Sequence, residues 1–140
     1  RENEIKIGKG VELIEGKDVA IIACGVLVHE AIAAAKTLEE AGVSATVVDM
    51  HTLKPLDGEL IESLAEKCGA VVTAEDHSII GGLGGAVAEH LISTRPVPME
   101  RIGVQDRFGE SAGAEEMLEM MGLKSHHIVD AAKRAIARKA

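Results

Sequence analysis

"DVAIIACGVLVHEAIAAAKTLEEAGVSATVVDM", residues 18–50, decides the fold. "DVAIIAC" (18–24) is a continuous apolar run rich in β-branched side chains, as a strand covered on both faces requires. Val28, Ala31, Ile32, Ala35 and Leu38 then recur at helical spacing over residues 26–41, and Gly42 stops the pattern. "SATVVDM" (44–50) returns to strand. Strand, helix and strand in immediate succession form a crossover between parallel strands.

The alternation continues in both directions. "KPLDGELIESLAEKCG" (54–69) predicts a helix with Asp57 as N-cap and Leu60, Ile61, Leu64, Ala65 and Cys68 on its inner face. "AVVTAE" (70–75) is the next strand. A helix runs from Gly84 to about Ser93 with Val87, Ala88 and Leu91 inward, and "PMERIGV" (98–104) is a weaker strand. Two helices close the chain, one around residues 115–121 stopped by Gly122, the other from about His126 to Arg138 with Ser125 as its cap. Upstream, "GVELIEG" (10–16) adds an edge strand. The class is α/β, with helices on both faces of a largely parallel sheet.

Composition excludes several functions. The net charge of −8 disfavours nucleic acid or an anionic membrane as partner. The longest apolar run, residues 19–28, is too short to span a bilayer. Cys24 and Cys68 are far apart in apolar stretches, which predicts reduced, buried thiols and a cytoplasmic setting. The chain has 140 residues, one domain's worth, and begins at Arg1 without start-like character. We therefore expect a piece of a longer protein, with residues 1–9 as the linker from a preceding domain. Phe108 is its one aromatic residue, so a site that sandwiches a planar ring has almost nothing to use.

"AEDHSIIGGLGGAVAEHL" (74–91) is the chemical candidate. A glycine-rich turn from strand into helix offers backbone N–H groups and a positive helix end to an anion. The spacing nevertheless fails the phosphate-loop pattern. It also fails G-x-G-x-x-[GA], because Val87 stands where a small residue is needed. Asp76, His77 and Ser78 alternate in direction on an extended chain and cannot line up as a catalytic triad. Adjacent His126 and His127 are not expected to grip one ion from the same helical face. Gly25, Glu75, Asp76, His77, Gly82, Gly84 and Gly85 remain as interface or anion-site candidates, with no catalytic, cofactor or metal ligand among them.

"DVAIIACGVLVHEAIAAAKTLEEAG", "MHTLKPLD", "VVTAEDHSIIGGLGGAVAEHL" and "RFGESAGAEEMLEMMGL" follow one another as in transketolases, and the chain resembles their C-terminal domain over about residues 5–138. Ala112 departs from the glycine more usual there. The resemblance implies a three-layer α/β/α domain whose mixed five-stranded sheet has the order 1-3-2-4-5, with "VELI" as an antiparallel first strand. In that order the carboxyl ends of strands 2 and 4 flank a crevice lined by Gly25, Glu75, Asp76, His77 and the glycine turn. The complete enzyme implied is a cytoplasmic transketolase of the pentose phosphate pathway. It uses thiamine diphosphate and a divalent metal (Mg) to move a two-carbon ketol unit between sugar phosphates.

The family's Gly-Asp-Gly…Asn motif is missing from this chain, so the resemblance implies a domain without cofactor or catalysis of its own. Its partners would be the remaining transketolase domains or a separate N-terminal subunit, in a homodimer or a dimer of split subunits. Alternatives are the corresponding domain of a 2-oxo acid dehydrogenase beta subunit or of deoxyxylulose phosphate synthase, or a free-standing anion-binding regulatory module. Glu75→Ala and His77→Ala are expected to be mild in the isolated chain, on the view that both sit in a solvated loop.

Overall fold

The computed structural model describes residues 8–51, 55–78, 82–104, 116, 118, 119 and 122–139, with the side chains of residues 77, 78 and 104 left aside. The strands are β1 (Val11–Ile14), β2 (Val19–Ala23), β3 (Ala45–Asp49), β4 (Val71–Ser78) and β5 (Met99–Val104). The helices are α1 (Leu27–Glu40), α2 (Gly58–Cys68), α3 (Leu83–Thr94) and α4 (Ser125–Ala137). Glu116, Leu118 and Glu119 are also helical, inside the region where the sequence predicts a further helix. The rest of that helix lies outside the described residues.

The sheet order is β1-β3-β2-β4-β5, with β1 antiparallel to β3 and every other pair parallel. β2 is buried along its whole length, and its alternation divides the interior in two. Val19, Ile21 and Ala23 face α1 and α4; Ala20 and Ile22 face α2 and α3. Ala31, Ala34 and Ala35 of α1 share their layer with Ala131, Ala132 and Ala135 of α4. Such small side chains let two helices approach closely. Two arginines at the end of the chain add polar ties to β5. Arg134 and Arg138 both reach the Glu100 carboxylate, at 3.2 and 2.7 Å.

Local chemistry explains most element ends. Asp57 caps α2 by accepting from the Leu60 N–H at 3.3 Å, and its other oxygen accepts from the Gly10 N–H at 2.9 Å. One carboxylate thus starts a helix and fixes the approach to β1. α4 begins differently from the Ser125 cap that the sequence suggests. Ser125 is itself helical, and its N–H donates to the Glu30 carboxylate of α1 at 2.8 Å. The His127 Nδ1 accepts from the Lys124 N–H at 3.0 Å.

Two further differences bear on the site. The buried stripe of α1 is Leu27, Ala31, Ala34, Ala35 and Leu38, with Val28 and Ile32 only partly covered. The face is rotated because α4 packs beside it and selects the alanines. β4 is also longer than expected, running through Asp76 and His77 to Ser78. Its ladder with β5 shifts register after Ala74 and resumes at Ser78 and Val104. Charged residues that read as a loop are therefore strand.

Candidate functional site: the crevice between β2 and β4

α1 leads from β2 toward β3 and α3 leads from β4 toward β5, on opposite faces of the sheet. The winding reverses between β2 and β4, and their carboxyl ends bound a crevice. Gly25 sits at one lip with φ +66°, a left-handed conformation that most side chains resist. A Cβ there would come within 3.1 Å of Asp76 Oδ1, so Gly25 and Asp76 are brought together across the crevice.

Glu75 goes the other way, since neighbours on a strand point to opposite faces. It is 1% exposed. Its carboxylate accepts from the N–H groups of Leu83 and Gly84, each at 2.7 Å. α3 has Gly82 at its N-cap, no side-chain cap of its own and no acidic residue in its first turn. Its unpaired donors and positive end are satisfied instead by a carboxylate from the neighbouring strand. Gly84 permits the close fit: a Cβ would lie 2.8 Å from Arg101 Cδ and 3.0 Å from Thr73 Oγ1.

The predicted residues therefore fall into two sets. Glu75 joins Gly82 and Gly84 behind the sheet edge, while Asp76 joins Gly25 at the lip. Gly85 is half-buried, and among the described residues no atom beyond its own helix backbone lies within 4 Å of the place its Cβ would take. The His77 side chain lies outside the described residues. Glu75 fills the position at the head of α3 that an outside phosphate would otherwise take.

Cys24, half-buried, and Asp49, at the end of β3, belong to the same neighbourhood. Burial pushes the Cys24 thiol up to about 11, and the charges of Glu75, Asp76 and Asp49 add to the shift. At neutral pH it is a protonated thiol, neither a nucleophile nor a ready metal ligand. Sequence reasoning missed Asp49. The signal was available, because Asp49 is the one charged residue of "SATVVDM" and stands where that strand ends. Val26, next to Gly25, is 54% exposed and puts an apolar side chain at the mouth.

A thiamine diphosphate does not fit here. Asp76 and Asp49 bring negative charge to the neighbourhood of Cys24, and two N–H groups at the head of α3 are already taken by Glu75. An added diphosphate would meet like charge. The arrangement suits contact with a complementary surface better than anion capture.

Comparison with known proteins agrees with this architecture. The chain is 47% identical over 137 residues to the 6-deoxy-6-sulfo-D-fructose transketolase subunit SqwH of Clostridium sp. (strain MSTE9), covering 98% of this chain and 42% of that protein. It is 43% identical over 136 residues to the 1-deoxy-D-xylulose-5-phosphate synthase of Trichormus variabilis, covering 96% of this chain and 21% of that one. A solved split-gene transketolase, described as an inactive beta4 tetramer, superposes with a TM-score of 0.95 at 47% identity, covering 99% of this chain and 46% of that one. The chain thus spans less than half the length of each of these relatives. Residues 8–128 match the family described as transketolase, C-terminal domain. With that match and the 1-3-2-4-5 sheet beneath it, the chain belongs to the transketolase C-terminal domain family.

Proposed function

We propose that this chain serves as the C-terminal domain of a cytoplasmic transketolase. In that enzyme, thiamine diphosphate and its divalent metal are held on other domains or on a separate subunit. Sugar phosphates, as in the pentose phosphate pathway, are the substrate class. The part assigned to this domain is assembly, through the crevice that Gly25, Asp76 and His77 share with the glycine turn. The observation that carries the reading is the mouth of the crevice. Val26 is 54% exposed there, with Asp49 and Asp76 in the same neighbourhood. Apolar exposure next to fixed charge is how a contact surface combines burial with register. Glu75 holds the head of α3 against the sheet beside that crevice.

Val26→Glu and His77→Ala test the assignment when each is made in the complete enzyme. Val26→Glu should leave the melting temperature of the isolated chain nearly unchanged, since surface substitutions usually move stability by about 0.5 kcal/mol or less, and the same is expected of His77→Ala. In the assembly they should weaken subunit or domain association about tenfold or more, and turnover should fall with it. Sedimentation and a ketol-transfer assay on the same samples read both effects. Unchanged association and turnover in both variants would reduce the crevice to ordinary surface.

A further inference from the structure

Three polar side chains converge where the helical residue Glu119 meets the first turn of α4. His126 Nε2 lies 2.8 Å from Glu119 Oε1, and His127 Nε2 lies 3.6 Å from Glu119 Oε2. The two imidazole rings are 4.0 Å apart between centroids and inclined by 36°. Adjacent histidines point to different sides of a regular helix, which is why the sequence argues against a shared ion. Here both stand in the first turn of α4, and Glu119 closes the gap between them.

All three ligand atoms lie within 4.8 Å of one another. A tetrahedral zinc ion, with donors at about 2.1 Å, holds those donors roughly 3.4 Å apart. The two imidazoles stand 2.8 and 3.6 Å from the two oxygens of one carboxylate, on either side of that length. Two imidazoles and a carboxylate form a donor set for a borderline divalent ion rather than for magnesium or calcium. Glu119 and His126 are more than half exposed, which gives the ion an open path and leaves a coordination position for water.

We infer that Glu119, His126 and His127 form a surface site for a divalent transition-metal ion of the zinc type. Binding carries a structural consequence. The Nδ1 of His127 now accepts the Lys124 N–H at 3.0 Å, so the proton of a neutral ring is on Nε2. Coordination through Nε2 displaces that proton, and the neutral ligand carries its proton on Nδ1 instead. The Lys124 N–H then loses its acceptor, and the first turn of α4 rearranges. The ion and the helix cap compete for one imidazole.

The test is a zinc chloride titration of this chain, read by competition with a chromophoric chelator and by 1H–15N correlation spectra. One equivalent should bind saturably, and the Lys124 amide resonance should move with occupancy. His126→Ala and Glu119→Gln should each weaken binding about tenfold or more. Both residues are exposed, and unchanged melting of the metal-free variants confirms that the loss is not misfolding. Absence of saturable binding would overturn the site. So would binding that survives His126→Ala, which would place the ion on other histidines, or binding that leaves the Lys124 amide unmoved.

Discussion

Glu75→Ala is expected to destabilise the isolated chain by roughly 3–5 kcal/mol. The carboxylate is 1% exposed and accepts two N–H groups at 2.7 Å. Truncation leaves both donors buried at the head of α3, at about 1–3 kcal/mol for each unsatisfied group. The lost packing around a buried side chain adds to that. In a domain of this size each kcal/mol is worth about 2–4 °C, so the melting temperature should fall by on the order of 10 °C. Glu75→Gln should fall between, because its amide can accept one N–H but turns donors toward the other. Chemical denaturation of the three proteins measures the series. A loss below about 1 kcal/mol for the alanine variant would mean that water reaches the helix end, which the burial of Glu75 excludes. This outcome reverses the mild effect expected from sequence, where Glu75 reads as part of a solvated loop.

The second large effect is at the start of the sheet. A Cβ on Gly16 would lie 2.5 Å from the Ala45 carbonyl carbon and 2.6 Å from its nitrogen and oxygen. These are backbone atoms of a paired strand and cannot swing aside as a side-chain end can. Gly16 is also held twice by Thr46: its N–H donates to Thr46 Oγ1 at 2.9 Å, and the hydroxyl donates back to Gly16 O at 2.6 Å. Gly16→Ala must push the β1–β2 connection off β3 and break that exchange. The expected cost is about 3 kcal/mol, at the upper end for overpacking. Thr46→Val, of similar shape, removes only the hydrogen bonds and should cost about 1–2 kcal/mol. If Gly16→Ala melts like the native chain, the close approach is not a constraint on the fold.

β2, α1 and β3 are legible in sequence because each obeys a single period. β2 is apolar throughout since both faces are covered, and α1 and β3 follow in the order a parallel crossover needs. The 1-3-2-4-5 order came from resemblance rather than periodicity, and the observed sheet matches it. The end of β4 was harder to read for a physical reason. Glu75 is a charge inside a strand, and only the donors of Leu83 and Gly84 make that burial favourable. Those donors are eight and nine residues away, beyond the reach of any local pattern. The same holds for α4, whose start depends on Glu30, 95 residues earlier. The structure brings Asp76 and Gly25 together, with a Cβ on Gly25 falling 3.1 Å from Asp76 Oδ1. That Glu75 and Asp76 face opposite ways would have followed from strand alternation, had β4 been extended by three residues.

The most direct test of the assembly role is a calorimetric titration of thiamine diphosphate with magnesium into this chain alone, beside the same titration of the complete enzyme. A crevice with Asp49 and Asp76 beside it, and with the head of α3 already occupied by Glu75, should give no saturable heat in the isolated chain, while the complete enzyme should bind. Micromolar binding by the isolated chain would contradict the assignment and place cofactor chemistry within this domain.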